Sequence, residues 1–311
     1  MTALDGDSLA RLRPLAFAVA YRMLGTVSEA EDVAQETLVR LLGVEDAENP
    51  DAMTTTIATR LSIDVLRSAR RRRERYVGDW LPEPLTVSRG APSPDAYDHA
   101  ALADDVSTAF LVLLESLSAN ERAAFLLHDV LEFSYDEAAH VLRKSAAATR
   151  QLVSRARRHV ADGRRRYEDD TSRRRMLVDQ FLAACQDGSI EAFVDVLAGD
   201  VVFTGDGGGN VRPGFAITRP VSGRIAVARL LAGFTRRGLP VAVDAATVNG
   251  SPGVLLSAAP EVGGGIVAVM GLEVSASGVV RIWSVVNPDK LCHVGPVADL
   301  RRLAATRSAR E

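Results

Sequence analysis

The apolar residues of this chain change period partway along it, and that change limits the folds open to it. Up to about residue 163 they recur at helical spacing, with one interruption near 76–100. Beyond about residue 200 they fall into short stretches rich in Val, Ala and Ile, separated by glycine-rich turns. One packed layer cannot serve both periods, so the sequence predicts helical domains followed by a mixed α+β domain. A length of 311 residues allows two or three such cores. Charged residues at 25% and hydrophobic ones at 47% mark a globular chain rather than a disordered one.

Residues 8–24 read as a first helix, closed by Gly25. Ser28 and Glu31 read as a capping box opening a second. Its first turns carry Glu29, Glu31, Asp32 and Glu36, where the helix dipole favours anions. A third helix is expected from near Pro50 to about Arg75, with Ile57, Leu61, Val65 and Leu66 facing inward. Residues 76–100 carry prolines at 82, 84, 92 and 94 and no lasting period, which predicts an extended linker. Helices resume over 102–163. Ser118 with Glu121, and Ser134 with Glu137, read as caps, and a turn is expected at Arg143–Lys144. Ser145 then caps "KSAAATRQLVSRARRHV", residues 144–160. A short helix, a tight turn and a capped basic helix form a helix-turn-helix signature.

Charge adds to this. The chain has a formal net charge of −3, and residues 1–170 hold 22 Lys/Arg against 28 Asp/Glu. Yet residues 60–75 hold 7 basic and 2 acidic side chains, and 143–166 hold 9 and 1. A lone basic run is ordinarily a solvated helix face. The capped helix and turn before 144–160, and a second basic helix about 75 residues upstream, favour two contacts with one duplex. Thr149, Val153 and Ala156 can face the protein, leaving Lys144, Arg150, Arg155, Arg157 and Arg158 for phosphates and base edges. The acidic face around Asp32 and Glu36 would repel DNA and suits a protein partner.

From about 172 two helices are expected (173–186 and 189–198), then a strand running into the glycine loop of "VVFTGDGGGNV". A helix over about 222–236 and four β-rich stretches follow, which predicts a helix-padded, curved antiparallel sheet. The glycine loop reads either as a hairpin turn or as a place of close backbone approach at Gly207, Gly208 and Gly209, with Asp206 capping a neighbouring helix. "NPDKL" reads as a strand-ending turn. Candidates for acid–base work are Asp206, Asp244, Arg224, Trp283 and Asn287, but no pair of them has a diagnostic spacing. The expectation is therefore no catalytic site and no enzyme. Cys185 and Cys292 are isolated thiols that fit a reducing cytoplasm, and the five histidines are scattered, so neither metal nor cofactor is expected. No run approaches the roughly 18 apolar residues of a membrane span, and the N-terminus has no secretion signal.

Three segments, "SEAEDVAQETLVRLL", "TRLSIDVLRSARRRRER" and "ERAAFLLHDVLEFSYDEAAHVLRKSAAATRQLVSRARR", resemble in order the σ2 and σ4 domains of extracytoplasmic-function (ECF) sigma factors. "DWLPEP" (79–84), "DGGGNV" (206–211) and "NPDKL" (287–291) resemble the SigJ-type members, which carry a SnoaL-like, NTF2-fold domain after σ4. The resemblance implies a σ2 helical bundle over 1–76, a Pro-rich linker over 77–104 and a σ4 helix-turn-helix over 105–168. It implies an α+β SnoaL-like cone over 172–295 and a C-terminal tail over 296–311. It implies that Asp32, Gln35 and Glu36 dock on core RNA polymerase, at its β′ clamp, with a further contact at the β flap. Arg60, Arg67, Arg70 and Arg71 would read the −10 promoter element, although many members carry Asn where Arg60 stands. Lys144, Ser145, Arg150, Gln151, Arg155, Arg157 and Arg158 would read the −35 element.

Contacts of the SnoaL-like domain with σ2, σ4 or the linker are expected through Trp80, Asp206, Gly207, Gly208, Gly209, Asn287, Asp289 and Lys290, regulating the sigma factor in cis. Asn210 replaces the Lys usual in the family. The free chain is expected to be a cytoplasmic monomer. The rival reading is a one-component helix-turn-helix regulator with a ligand-sensing C-terminal domain. The acidic second helix and the first basic helix argue against it, because a repressor needs neither.

Overall fold

The computed structural model describes residues 6–44, 48–73, 76–88, 106–163, 171–209, 211 and 214–308. The chain divides into two compact units, Met1–Arg75 with Ala109–Arg164, and Tyr76–Thr108 with Arg165–Glu311.

The first unit is all helical. Helices α1 (Gly6–Leu24), α2 (Val27–Leu42) and α3 (Pro50–Arg73) pack on one another around Leu12, Phe17, Tyr21, Leu24, Ala30, Ala34 and Leu41. Gly25 ends α1 with a positive φ of 68°, and its N–H donates to the Tyr21 carbonyl at 2.8 Å. That left-handed turn leaves one extended residue, Thr26, before α2 begins. Ser28 is therefore already inside the helix and exposed, and the expected Ser28–Glu31 box does not form. Thr26 stands at the N-cap position instead, its Oγ1 donating to Glu29 Oε2 at 2.8 Å. Pro50 opens α3, where a missing N–H costs nothing. Buried Thr54, Thr55 and Ser62 donate their hydroxyls to carbonyls four residues back, which lets polar side chains line a packed face of α3.

Helices α4 (Thr108–Glu115), α5 (Ala119–Phe125), α6 (Tyr135–Leu142) and α7 (Ala146–Gly163) follow, with a π-helical turn at Leu126–Val130. Both expected capping boxes form, Ser118 with Glu121 and Ser134 with Glu137. Arg143 takes a left-handed conformation (φ 53°, ψ 49°), and this single residue makes the tight turn between α6 and α7. Ser145 Oγ accepts from the Ala148 N–H at 3.2 Å and opens α7, whose Thr149, Leu152, Val153, Ala156 and Val160 are buried. Arg122 of α5 is 3% exposed; its Nη1 donates to the Met23 carbonyl at 2.7 Å and to Glu115 Oε1 at 2.8 Å, tying α5 to the end of α1.

The second unit is α+β. Its strands are β1 (Thr86–Ser88), β2 (Leu197–Asp206), β3 (Val221–Ser222), β4 (Val241–Val248), β5 (Ser251–Ala258), β6 (Ile266–Ser275) and β7 (Gly278–Val285). They form one sheet in the order β1-β4-β5-β6-β7-β2-β3. Neighbours are antiparallel except β2 and β7, which run parallel with Asp206 opposite Val285. Helices α8 (Thr171–Asp187), α9 (Ile190–Val196) and α10 (Arg224–Thr235) cover the sheet through Phe181, Phe193, Val227 and Leu231, meeting Phe203, Leu272 and Ile282. Helix α11 (Leu300–Ser308) closes a smaller core with Leu303 against Val262, Val267 and Ala298. Strand β1 comes from the proline-rich stretch. It pairs with β4, and Leu81 and Leu85 just before it are 1% and 3% exposed, so the stretch through Ser88 is built into this unit.

Candidate nucleic-acid interface and a buried linker clasp

Asp32, Gln35 and Glu36 all lie exposed on α2. Their i, i+3, i+4 spacing puts them on one side, and Glu36 Oε1 accepts from Arg40 Nε at 2.8 Å. Val39 and Leu42, 56% and 62% exposed, follow on the same helix. Sequence reasoning did not single them out, yet a signal exists: neither falls on the buried stripe of Ala30, Ala34, Thr37 and Leu41.

The basic residues of α3 do not behave alike. Arg60 is turned onto the last turn of α6: Nε donates to the Val141 carbonyl at 2.9 Å and Nη2 to the His140 carbonyl at 3.0 Å. Those carbonyls lie at the negative end of a helix; that of His140 also accepts the Arg143 N–H at 3.2 Å. Burial and then neighbouring Arg143 lower the Arg60 pKa. Arg67 is exposed beside Asp64, 3.6 Å away. The side chains of Arg70 and Arg71 lie outside the described residues.

On α7 the expected face is outward: Lys144, Ser145, Arg150, Gln151, Arg155, Arg157 and Arg158 are all exposed. Two of them are already engaged. Arg155 Nε sits 3.0 Å from Glu121 Oε1, and Arg157 Nε reaches both Asp129 carboxylate oxygens at 3.1 and 3.0 Å. The bond from Asp129 raises the Arg157 pKa above its ordinary value. Arg150 lies 5.1 Å from the Tyr135 ring centroid. Among the described residues Lys144, Arg150 and Arg158 have no ion pair.

The second unit holds a buried polar cluster where the glycine loop, "NPDKL" and the start of the proline-rich stretch meet. Asp206 is fully buried at the end of β2. Its Oδ1 accepts from Tyr76 Oη at 2.5 Å and from the Gly208 N–H at 3.0 Å. Its Oδ2 accepts from the Leu81 N–H and from Lys290 Nζ, both at 2.8 Å. Lys290 also donates to the Leu81 carbonyl, and its ammonium lies 4.0 Å from the Trp80 ring and 4.9 Å from that of Tyr76. Asn287 Nδ2 donates to Tyr76 Oη at 2.9 Å while its Oδ1 accepts from the Asp289 N–H at 3.2 Å, opening the 3₁₀ turn Pro288–Lys290 that brings Lys290 back. Further along, Pro84 O meets His293 Nε2 at 2.9 Å, and Leu85 exchanges two hydrogen bonds with Asn249.

A buried carboxylate with four donors is fully satisfied, and its charge is balanced by Lys290. Burial and the Asp206 bond push the Tyr76 phenol well above its ordinary range. Burial and then Asp206 also raise Asp79, whose Oδ2 is buried without a hydrogen-bond partner. The glycine loop is the seat for this strap. At Gly209 (φ 75°) a Cβ would stand 2.8 Å from Val77 Cβ, and at Gly208 (φ 63°) it would run into Asn287. Asp206 thus holds the linker segment, not a helix end. Trp80, Asp206, Gly208, Gly209, Asn287, Asp289 and Lys290 come together here, with Gly207 packed on Ala216. Tyr76, the Leu81 backbone, Asn249 and His293 are the members sequence reasoning missed. Their polar atoms act at separations of 125 to 211 residues, beyond any local pattern.

The candidates for acid–base chemistry are dispersed. Asp206 and Asn287 belong to the clasp, Asp244 is exposed on β4, and Trp283 Nε1 donates to Glu273 at 2.7 Å. Arg224 is half-buried at the start of α10, its Nε without a hydrogen-bond partner.

Residues 9–72 match the Sigma-70 region 2 family and residues 107–160 the Sigma-70, region 4 family. The ECF RNA polymerase sigma factor SigJ of Mycobacterium tuberculosis is 38% identical over 287 residues, covering 90% of each chain. This chain belongs to the ECF RNA polymerase sigma factors. The crystal structure of the M. tuberculosis SigJ superposes with a TM-score of 0.74 at 33% identity, over 93% of this sigma factor and 98% of that chain. A probable ECF sigma factor of the same species, SigI, is 33% identical over 183 residues, covering 58% of this sigma factor and 62% of its own length. Sigma factors bind core RNA polymerase and promoter DNA and direct transcription initiation, so α6 and α7 of this ECF sigma factor are its region 4 helix-turn-helix. Among its described residues no helix is long and apolar enough to cross a membrane, and no group of three or more His, Cys, Asp or Glu could hold a metal.

Proposed function

We propose that this sigma factor docks on the β′ clamp of core polymerase through Asp32, Gln35 and Glu36 of α2, with Val39 and Leu42 as the apolar part of that face. Helix α3 then reads the −10 element, through Arg67 and the basic residues after it, and α7 reads the −35 element, through Lys144, Arg150 and Arg158 first. The second unit regulates this in cis by storing linker.

The observation that carries the last point is Asp206, buried with no exposure and bonded to Tyr76, Leu81 and Lys290. While these bonds hold, residues 76–88 are part of a sheet unit and cannot act as spacer between the region 2 and region 4 helices. Roughly 13 residues are withheld, and at about 3.3 Å each their release would add on the order of 40 Å of reach. A bistable segment of this kind shifts the population able to span two promoter elements.

The test is transcription in vitro with core polymerase, comparing the intact chain, Asp206→Asn and a chain stopped near residue 168. Promoter output from both altered chains is expected to differ from the intact one. Identical output from all three removes regulation in cis. Failure of core polymerase to retain the intact chain would instead remove the docking assignment.

A further inference from the structure

A chain of stacked groups runs from the π-helical turn at Leu126–Val130 to the exposed side of α7. His128 Nδ1 lies 2.7 Å from the Phe133 carbonyl, which fixes the imidazole. The Tyr135 ring lies against that imidazole, with centroids 3.9 Å apart and planes 30° from parallel. The Arg150 guanidinium lies over the Tyr135 ring, 5.1 Å from its centroid.

Local backbone geometry builds this arrangement. The Leu131 N–H reaches back five residues to the Leu126 carbonyl at 2.9 Å, and the Phe133 N–H bonds the Leu127 carbonyl at 2.9 Å. Glu132, with a positive φ of 58°, reverses the chain between them. Ser134 then caps α6, and Tyr135 is its first residue. Long side chains on a helix lean toward its N-terminus, so the Tyr135 ring falls back over the turn the chain has just left. Two neighbours in that turn thus serve α7: Asp129 holds Arg157, and His128 backs the ring that carries Arg150. Single π turns within helical segments recur at functional sites.

A free arginine side chain samples many rotamers, and gripping a base edge costs that freedom at the moment of binding. Stacking on an aromatic face removes the freedom beforehand. It also leaves the N–H donors at the rim of the guanidinium available for a bidentate contact. Arg155 and Arg157 are held by carboxylates instead. Among the described residues of α7, Arg150 is the one arginine seated over a ring. Tyr135 is only half-buried, so packing alone does not demand an aromatic residue there.

We propose that Tyr135 is a positioning residue for base recognition: its ring, backed by His128, presents Arg150 to the −35 element in one arrangement. This rests on the reading of that element by α7. Removing the ring relaxes sequence discrimination but leaves the salt slope of binding unchanged, because Arg150 keeps its charge.

The experiment uses holoenzyme assembled from core RNA polymerase and the full chain. It first selects duplexes from a promoter library randomised at both elements. The most enriched duplex and the same duplex with its −35 element scrambled are then the probes, and the affinity ratio between them is read over a range of salt. Arg150→Ala is expected to lower the ratio roughly tenfold. Tyr135→Leu is expected to lower it about threefold or more with an unchanged salt slope, and Tyr135→Phe to keep the intact ratio. The double variant Tyr135→Leu with Arg150→Ala is expected to be no worse than Arg150→Ala alone. An undiminished ratio in a folded Tyr135→Leu chain, beside a loss in Arg150→Ala, overturns the proposal and leaves the reading by α7 standing. Additive losses in the double variant, or a Tyr135→Phe chain as impaired as Tyr135→Leu, also overturn it. An unchanged ratio in Arg150→Ala removes the base contact itself and the proposal with it. If Tyr135→Leu does not fold, proton NMR of the unsubstituted chain decides: the Arg150 δ-methylene resonances are expected upfield of those of Arg158, and their coincidence overturns the proposal.

Discussion

At the scale of single residues, Asp206 and Asp79 act in opposite senses. Asp206 is stabilised by two bonded hydroxyl and ammonium donors and two N–H groups, so replacing it with Asn leaves Lys290 buried without its counter-charge. Breaking one side of such a pair typically costs about 3–5 kcal/mol. Asp206→Asn is expected to lower the denaturation midpoint of the second unit and to expose amides 81–85 to hydrogen exchange. Asp79 is held at a disadvantage. Its folded pKa is raised, so its contribution to folding is full below the ordinary carboxylate pKa and is lost as pH rises through the folded value. At neutral pH its charge opposes the clasp, with Oδ2 buried and unbonded and Asp206 nearby. Asp79→Asn is therefore expected to stabilise the chain at pH 7, with the gain shrinking below about pH 4. Unfolding curves at the two pH values check this, and an equal gain at both would contradict it. The sequence offered Asp206 two readings, a helix cap and a contact with σ2, σ4 or the linker, and its bonds to Tyr76 and the Leu81 N–H fit the second. Nothing local to DGGG could show Tyr76 arriving from 130 residues upstream.

At the scale of elements, α7 divides its own basic residues. Arg155 and Arg157 spend part of their charge on Glu121 and Asp129 of the preceding segments, which positions the helix. Arg150 and Arg158 are the freer pair. Arg150→Ala and Arg158→Ala are each expected to weaken promoter binding and to reduce its salt slope by about one. Arg157→Ala is expected to lower stability by roughly 0.5–1 kcal/mol, since the pair is half exposed. Equal salt slopes for all variants would count against α7 as the DNA-facing helix. Helix α3 is divided in the same way by tertiary contact. Arg60 bonds two carbonyls of α6, so Arg60→Ala is expected to destabilise the first unit by about 1–3 kcal/mol in chemical unfolding. Unchanged stability would show that these bonds contribute nothing. The elements themselves were legible: caps at Ser118, Ser134 and Ser145 fell where the S-x-x-E pattern and the turn placed them. The start of α2 did not. The capping pattern at Ser28 and Glu31 is real in the sequence, but the backbone reversal at Gly25 sets the first helical residue earlier.

At the scale of the whole molecule, the division of labour runs along a line that does not follow chain order. Residues 76–88 belong to the sheet unit although they follow the first three helices in the chain, and α4 to α7 then belong to the helical unit. Removing everything after about residue 168 is expected to uncover Leu81 and Leu85 and so to increase binding of an apolar dye. Fluorescence of the truncated and intact chains compares them directly, and equal dye binding would mean that the strap finds other cover. By itself the sequence determined most of the helices, the caps at Ser118, Ser134 and Ser145, the switch to β period, the helix-turn-helix and its basic face. These follow from spacings of three to seven residues, which a chain carries locally. Tertiary structure alone decided that Arg60 caps α6, that Arg155 and Arg157 are paired, that a proline-rich linker becomes an edge strand, and that Asp206 and Lys290 share a buried bond. Those choices join residues dozens to hundreds of positions apart. Their energies arise from burial and from charge in a low-dielectric interior, neither of which exists until the chain has folded.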